Sequence, residues 1–440
     1  MLLVERDLST PDRIVGELLQ PGGCAALRTL GLEQALDGID ATRVDGYKVF
    51  WGKDEVAIPY PVLQQQQQQQ QRDDGDKPVA STSKVDDPDA LSSPRARAQG
   101  RSFHHGLFVQ NLRAQARKRK GITLVEATVN DVLRALGPDG AERVSGLSAT
   151  PKKRTADSPN GHAASANGDA TSEPKAEPED EPEEPVELRA KLTIVADGCF
   201  SKFRRLFLPE SVAPQTRSHF VGLVLEDADM PAPKHGHVIL RKQQAGDDKG
   251  DAADGEASRL GPVLVYQLST HETRMLVDIA GSKLPSVGSG ALHAFLEREV
   301  PPVLPASLLP SFTRALERSK SREARDKGAR LRSMPNSYLP PHPQGRFLRG
   351  AFLAGDALNM RHPLTGGGMT VALNDVVVLK RLLAHVDDFE TDWALVAEQL
   401  EAWHWARKGV ASCVNVLAMA LYSLFGAQGE SPRWCGAVGG

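Results

Sequence analysis

Cysteine is scarce. Four occur in 440 residues, at Cys24, Cys199, Cys413 and Cys435. They lie far apart, with no C-x-x-C and no Cys/His pair at zinc-ligand spacing, so neither a disulfide framework nor a metal site is expected. A reducing, cytosol-facing environment fits. An excess of one charge is also missing. Lys+Arg 53 against Asp+Glu 56 leaves a net charge of −3, which provides no general attraction to nucleic acid. No uninterrupted apolar run reaches the ~20 residues of a membrane-spanning helix, and no signal-peptide pattern is visible. A G-x-G-x-x-G turn is lacking as well. Met1-Leu-Leu-Val4-Glu5 reads as a short strand ending in an acid. In a dinucleotide-binding fold such a strand is the second one, and its acid binds the adenosine ribose. The first strand, the glycine-rich turn and the first helix belong before it. The chain is therefore expected to be truncated there, and to hold a dinucleotide weakly.

What is present centres on the stretch from Gly350 to Val371. It reads as strand, loop, helix. Phe347 to Ala354 is short and mostly apolar, as a buried strand is. Gly355-Asp356 ends it. Pro363 and Gly366-Gly367-Gly368 allow tight turns and close backbone approach to a ligand. From Thr370 the apolar spacing becomes helical through Val371, Ala372, Val376, Leu379, Leu382 and Leu383. The start of that helix is suited to a phosphate or an anionic ring. Asp356 is placed to accept a hydrogen bond from a sugar or ribityl hydroxyl. Three glycines alone more often mark a loop without a ligand.

Other stretches are read the same way. Ala41 to Tyr60 has strand character. Gln64 to Arg97 begins with an uninterrupted glutamine run, and Thr150 to Glu187 is rich in Pro, Ala and Glu. Their composition predicts disordered insertions, as does that of a smaller stretch, Gln243 to Ser258. Leu107 to Arg117 is a predicted helix, and Ile122 to Val125 and Thr128 to Leu133 are predicted strands. Leu192 to Gly198 is a predicted buried strand ending in a sharp turn. Arg217 to Glu226, Val238 to Arg241, Pro262 to Ser269 and Met275 to Ile279 form a strand series that suggests an antiparallel sheet. Leu292 to Glu299 and Phe312 to Ser319 read as short helices. Trp393 to Trp405 and Ala411 to Phe425 read as two more. The last is too short to span a bilayer, and its pattern suits an interfacial helix and a core helix equally.

The wording Gly355-Asp-Ala-Leu-Asn-Met-Arg-His-Pro-Leu-Thr-Gly-Gly-Gly-Met-Thr370 resembles the second flavin-binding motif of FAD-dependent aromatic-hydroxylase-type monooxygenases. In detail it resembles the squalene epoxidase (squalene monooxygenase) family. Three further stretches agree: Glu5-Arg-Asp7 through Pro11-Asp-Arg-Ile-Val-Gly-Glu17 to Gln20-Pro-Gly-Gly23; Arg101-Ser-Phe-His-His-Gly106; and Ile194-Val-Ala-Asp-Gly-Cys-Phe-Ser-Lys-Phe-Arg204. The resemblance runs from near residue 1 to near residue 426.

The resemblance implies an α/β, FAD-dependent monooxygenase fold. A Rossmann-like flavin domain lacking its first βα unit would take residues 1–40, 100–149, 188–215 and 335–388. An antiparallel-sheet substrate domain would take 41–63 and 216–334. Residues 64–99 and 150–187 would be insertions, and 389–440 a C-terminal helical, membrane-facing segment. It places Glu5, Arg13, Arg113, Val129, Asp197, Asp356, Gly367, Gly368 and Met369 at FAD, and Tyr47 near the flavin and the substrate. Spacing alone leaves bland roles open: a surface salt bridge for Arg13, a solvated basic face for Arg113, an ordinary turn at Asp197-Gly198, and core packing for Tyr47 and Tyr266.

The activity implied is epoxidation of squalene by O₂ to (S)-2,3-oxidosqualene in ergosterol-type sterol synthesis. Electrons would come from NADPH–cytochrome P-450 reductase, at the cytosol-facing surface of the endoplasmic reticulum membrane. A non-catalytic fragment of the family and a related FAD hydroxylase with another substrate are the alternatives. The apolar C-terminal helix disfavours a polar aromatic substrate.

Overall fold

The computed structural model describes residues 1–62, 97–152, 184–241, 259–281, 283–321 and 330–426. Nearly all of the three expected insertions lies outside the described residues. At their edges the expected bounds need correction. Thr150 and Pro151 close one strand, and Val186 and Glu187 open the next, because cross-strand pairing continues to Ala127↔Pro151 and Ala149↔Val186.

In chain order the first elements are β1 (Leu2–Glu5), β2 (Leu18–Leu19), helix α1 (Pro21–Leu30), β3 (Thr42–Val44), β4 (Gly46–Trp51), β5 (Asp54–Pro59) and β6 (Gly100–Ser102). Helix α2 (His105–Lys118), β7 (Thr123–Leu136), β8 (Glu142–Pro151), β9 (Val186–Arg189) and β10 (Thr193–Val195) follow. Next come β11 (Gln215–Glu226), β12 (His235–Leu240), β13 (Arg259–Gln267), β14 (Glu272–Ala280), α3 (Ala291–Glu299) and α4 (Leu309–Lys320). The described chain ends with β15 (Arg332–Tyr338), β16 (Ala351–Leu353), α5 (Gly368–Leu383) and α6 (Trp393–Gly426).

Four sheets result. One has the order β1-β7-β8-β9, with β1 and β7 parallel. β10 and β16 form a parallel pair. β2-β6-β3 is a small antiparallel sheet. The largest has the order β15-β11-β14-β13-β12-β4-β5, antiparallel except where β12 meets β4. It contains the four strands expected from the middle of the sequence, joined by β4, β5 and β15. β3 leaves it to pair with β6.

The seven-stranded sheet is covered on both faces, which is why its central strands read as nearly continuous apolar runs. Side chains alternate from face to face along a strand. Val221, Leu223, Val263, Val265, Met275 and Val277 pack against Leu292, Phe295, Phe312 and Leu316 of α3 and α4. Their neighbours Phe220, Leu264, Tyr266 and Leu276 face the other way, toward Ile14, Leu364 and the end of α6. The opposite face therefore looks onto the loops that precede α1 and α5.

Several elements differ from their sequence reading. The expected strand over Phe347 to Ala354 shrinks to β16, and Phe347 is 58% exposed. The two strands expected between Ile122 and Leu133 are one, β7, kinked by a register shift between Val129 and Asp131. α5 starts at Gly368, two residues early. The two expected C-terminal helices are a single 34-residue helix. Gly409 does not break it, since a lone glycine costs only ~1 kcal/mol and the first half is clamped to α5. That clamp is the buried Arg407–Asp375 pair and the Trp403 indole N–H donated to the Asp375 carbonyl at 3.0 Å. By length and composition α6 can cross a membrane. Its apolar window has mean hydropathy 1.4, and only 17% of that window is buried.

Candidate functional site

A cavity of about 350 Å³ lies where the seven-stranded sheet faces two loops. The first loop, residues 13–20, runs into α1. The second follows β16 and carries the glycine-rich stretch. Both chain ends of the parallel pair β10/β16 feed the site: Asp197-Gly198 leaves β10, and Gly355-Asp356 leaves β16. One buried side chain joins those two turns. Arg204 Nε donates to the Ala357 carbonyl at 2.8 Å, and its Nη2 donates to the carbonyls of Cys199 at 3.1 Å and Asp356 at 3.1 Å. The basic residue after the Asp-Gly turn thus holds the turns together from behind.

At the cavity wall, Asp356 lies among the guanidinium groups of Arg361, Arg13 and Arg204 and the ring of His105. Burial pushes its carboxyl above the usual range, and those cations pull it back. Its carboxylate accepts no hydrogen bond among the described residues. Arg13 likewise has no hydrogen bond or ion pair there, so the salt bridge to Asp12 or Glu17 left open by spacing does not form. Asp12 pairs with Arg332 and Glu17 with Arg274. One open anion and one open cation on the same cavity fit a group bearing both hydroxyls and phosphates. The first N–H groups of α5 complete the wall, since Gly368 and Met369 line the cavity. Gly366 makes that approach possible. It is left-handed at φ +58°, and a Cβ there would come within 3.0 Å of Leu18.

Tyr47 enters from β4. Its hydroxyl accepts a short hydrogen bond from Gln20 Nε2 and donates to the Thr365 carbonyl at 3.1 Å. Gln20 Nε2 donates to the same carbonyl at 2.8 Å, and Tyr60 donates to Gln20 Oε1 at 2.5 Å. Burial pushes the Tyr47 phenol up to about 12, so it stays protonated at neutral pH. His237 also lines the cavity, stacked on Phe50 at 5.5 Å. Burial drives its imidazole down to about 4, so it is neutral there.

The remaining expected residues do not line this cavity. Glu5, at the end of β1, pairs with Arg113 at 3.2 Å. Arg113 is 8% exposed and also donates to the Ser9 carbonyl at 2.9 Å and the Asp7 carbonyl at 3.0 Å, so it does not belong to a solvated basic face. The Val129 carbonyl receives the Lys202 ammonium. Asp197 is exposed beyond β10. Gly367 is needed for packing, because a Cβ would come within 2.5 Å of Val414 on α6.

Sequence reading missed a buried fork. Arg274 Nε and Nη2 donate to Glu17 at 2.8 and 2.9 Å, and the Tyr266 hydroxyl donates to it at 3.2 Å. Glu17 is 1% exposed. The signal was an acid set directly before the apolar pair Leu18-Leu19, since a buried charge must find a partner.

This architecture is the fold of FAD-dependent monooxygenases and halogenases. PqsL of Pseudomonas aeruginosa, solved in complex with 2-aminobenzoylacetate, aligns with a TM-score of 0.59 at 16% identity over 97% of this chain and 90% of its own. The FAD-dependent halogenase CndH, the myxobacterial chondrochloren halogenase, aligns with a TM-score of 0.58 at 14% identity, over 98% and 81%. Within that class the match is narrower. The squalene epoxidase family model matches residues 189–434. Squalene epoxidase erg1 of Schizosaccharomyces pombe is 36% identical over 97% of this chain and 73% of its own. Squalene epoxidase ERG1 of Candida albicans is 38% identical over 98% and 77%. The chain belongs to the squalene epoxidase family.

Proposed function

We propose that this chain epoxidises squalene to 2,3-oxidosqualene with FAD and O₂, in sterol synthesis. The cavity carries the reading. Its approach from the α5 side is polar, with Arg13 and Asp356 open, and its sheet side is apolar, with Leu264, Leu276 and Met334. Arg13 and the α5 N-terminus would hold anionic parts of the flavin, and Asp356 would accept from a hydroxyl. Glu5 and Arg113, already paired, would flank the adenosine end together with the backbone at Val129 and the Asp197 turn. Gly367 and Gly368 let the backbone come close, and Met369 packs beside them. Bound FAD, once reduced, supplies the oxygen transfer. The residues of the chain exclude water and orient the alkene. The Glu17–Arg274–Tyr266 group bonds within itself and so leaves that wall without an unpaired charge.

A hydrocarbon substrate reaches such a site from a bilayer, and the exposed apolar side of α6 suits contact with one. That supports a site on the endoplasmic reticulum membrane, with electrons delivered from NADPH by a separate reductase. A hydroxylase of polar aromatic substrates is not favoured, since the close relatives over nearly the whole chain are squalene epoxidases.

The test is Tyr47→Phe beside the parent, each titrated with FAD and then supplied with squalene, reductase and NADPH. The parent should form 2,3-oxidosqualene. Tyr47→Phe should retain flavin and slow product formation, because the Thr365 carbonyl and Gln20 lose their shared partner. A parent that holds flavin and oxidises NADPH without making the epoxide would refute the reading.

A further inference from the structure

Behind the glycine-rich loop lies a buried polar cluster with no part in the proposed chemistry. Asp278 sits on β14, fully buried, on the strand face that looks toward the cavity. Its Oδ1 accepts the Ser218 hydroxyl at 2.6 Å and Asn336 Nδ2 at 2.9 Å. Ser218 Oγ lies 3.1 Å from His362 Nε2. His362 Nδ1 accepts the backbone N–H of Leu364 at 3.2 Å. The proton inventory has one solution. Ser218 gives its only proton to Asp278, so its oxygen must accept, and His362 Nε2 must carry hydrogen. Leu364 donates to Nδ1, so Nδ1 must be bare. Both ends require the same neutral tautomer. The ring plane is fixed from two sides, by Tyr422 of α6 stacked at 4.0 Å and by the edge of Phe220.

His362 directly precedes the turn Pro363–Thr365 and caps it. That turn presents the Thr365 carbonyl to Gln20 and Tyr47, and places Leu364 in the apolar cluster at the cavity wall. We propose that Asp278 and His362 are positioning residues. Asp278 orients the imidazole through Ser218, and the imidazole sets the turn that places Thr365, Tyr47 and the start of α5 around the cavity. The sheet on which substrate would lie is thereby coupled to the loop on which flavin would lie. The proposal rests on the reading of the cavity as a flavin and hydrocarbon site.

The test uses the full chain with His362→Gln, His362→Asn, Asp278→Asn and, should any of these fail to fold, Ser218→Ala. Asparagine puts an amide oxygen where Nδ1 accepts Leu364, whereas glutamine reaches the Nε2 position and leaves Leu364 unpaired. Two quantities are read: amide hydrogen exchange across residues 363–368, and the dissociation constant for FAD. His362→Gln should speed exchange at Leu364 and weaken FAD about tenfold, as expected for loss of one ordering hydrogen bond. His362→Asn keeps the Leu364 bond but loses the link to Ser218, so its losses should be smaller than those of His362→Gln, about threefold in each quantity. Asp278→Asn and Ser218→Ala cut the same link and should follow His362→Asn, with an unfolding midpoint that does not fall in step. Unchanged exchange in His362→Gln, or equal losses in the asparagine and glutamine variants, overturns the proposal. A parent that takes up no FAD would sink the functional reading instead, while the exchange measurement would still decide the positioning role.

Discussion

Asp356 sets the stability of the ligand-free fold against its proposed role in holding FAD. Burial raises its native pKa above 3.8, the usual value, despite three nearby guanidiniums. The native state then binds this proton more tightly than the unfolded chain does. The contribution of the carboxyl to stability is therefore complete below pH 3.8 and is lost as pH rises through the raised native value. At neutral pH the ligand-free fold carries a costly charge. Asp356→Asn should raise the unfolding midpoint of the ligand-free protein at pH 7, with the gain shrinking toward acid pH. The same variant should weaken FAD by roughly ten- to a hundredfold, the worth of one charge-assisted hydrogen bond at ~1.5–3 kcal/mol. A midpoint that does not rise, or FAD affinity that is unchanged, would remove Asp356 from this role. The place of Asp356 at a strand end was legible, because a strand and the turn after it are local patterns. Asp278 and Glu17 were not assigned. Each is a lone acid beside apolar residues, and that pattern says only that a partner is needed. The partners, His362 through Ser218 and Arg274, come from distant parts of the chain and meet only on folding.

At the level of elements, the packing of α5 on α6 turns on one buried pair. Arg407 and Asp375 are 1% and 6% exposed at their side chains, and Arg407 Nε donates to Asp375 Oδ1 at 2.9 Å. Removing one partner leaves the other charged and unmatched. Arg407→Ala should cost about 3–5 kcal/mol in denaturant unfolding, whereas the paired change Arg407→Met with Asp375→Leu should cost far less. Equal costs would mean that the pair matters for its shape alone. The segment after β5 makes the opposite case. Val62 bridges Arg97, and Ala98 N–H donates to the Pro61 carbonyl at 3.0 Å, so the chain leaves and returns at one point. Replacing residues 64–95 with a short Gly-Ser turn should change stability by no more than about 1 kcal/mol. A larger loss in thermal unfolding would show that the segment contributes to the fold. Four strands of the seven-stranded sheet, β11 to β14, were read correctly in kind because each is a short apolar run between polar turns, whereas β15, with the sequence Arg-Ser-Met-Pro-Asn-Ser-Tyr, carries no such run and was not read as a strand. α6 was split in two because Lys408-Gly409 interrupts the apolar pattern without interrupting the backbone, whose continuity is secured by contacts with α5 that no local window contains.

At the scale of the whole molecule, the second half of α6 carries exposed apolar side chains on one helix: Val416 is 67%, Leu417 53% and Leu424 62% exposed. His362 is stacked on Tyr422 of the same half, so a surface suited to lipid ends against the turn that shapes the cavity. Changing Val416, Leu417 and Leu424 together to Ser should reduce sedimentation with liposomes severalfold while leaving flavin uptake in detergent unchanged. Liposome binding equal to that of the parent would place the membrane contact elsewhere. The Arg204 bonds have a different consequence, one of timing. This guanidinium closes on carbonyls at 199 and at 356–357, and β10 pairs only with β16 among the described strands. On a ribosome adding ~5–20 residues per second, the stretch from the end of β14 at Ala280 to the start of β16 at Ala351 takes roughly 4–14 s to be made. During that interval β11 to β14 are already available to pair, while β10 still waits for its partner strand. The sheet can thus form before the loops it faces, and the cavity closes last, in a nascent chain whose apolar cavity wall stays open to chaperones until α5 arrives.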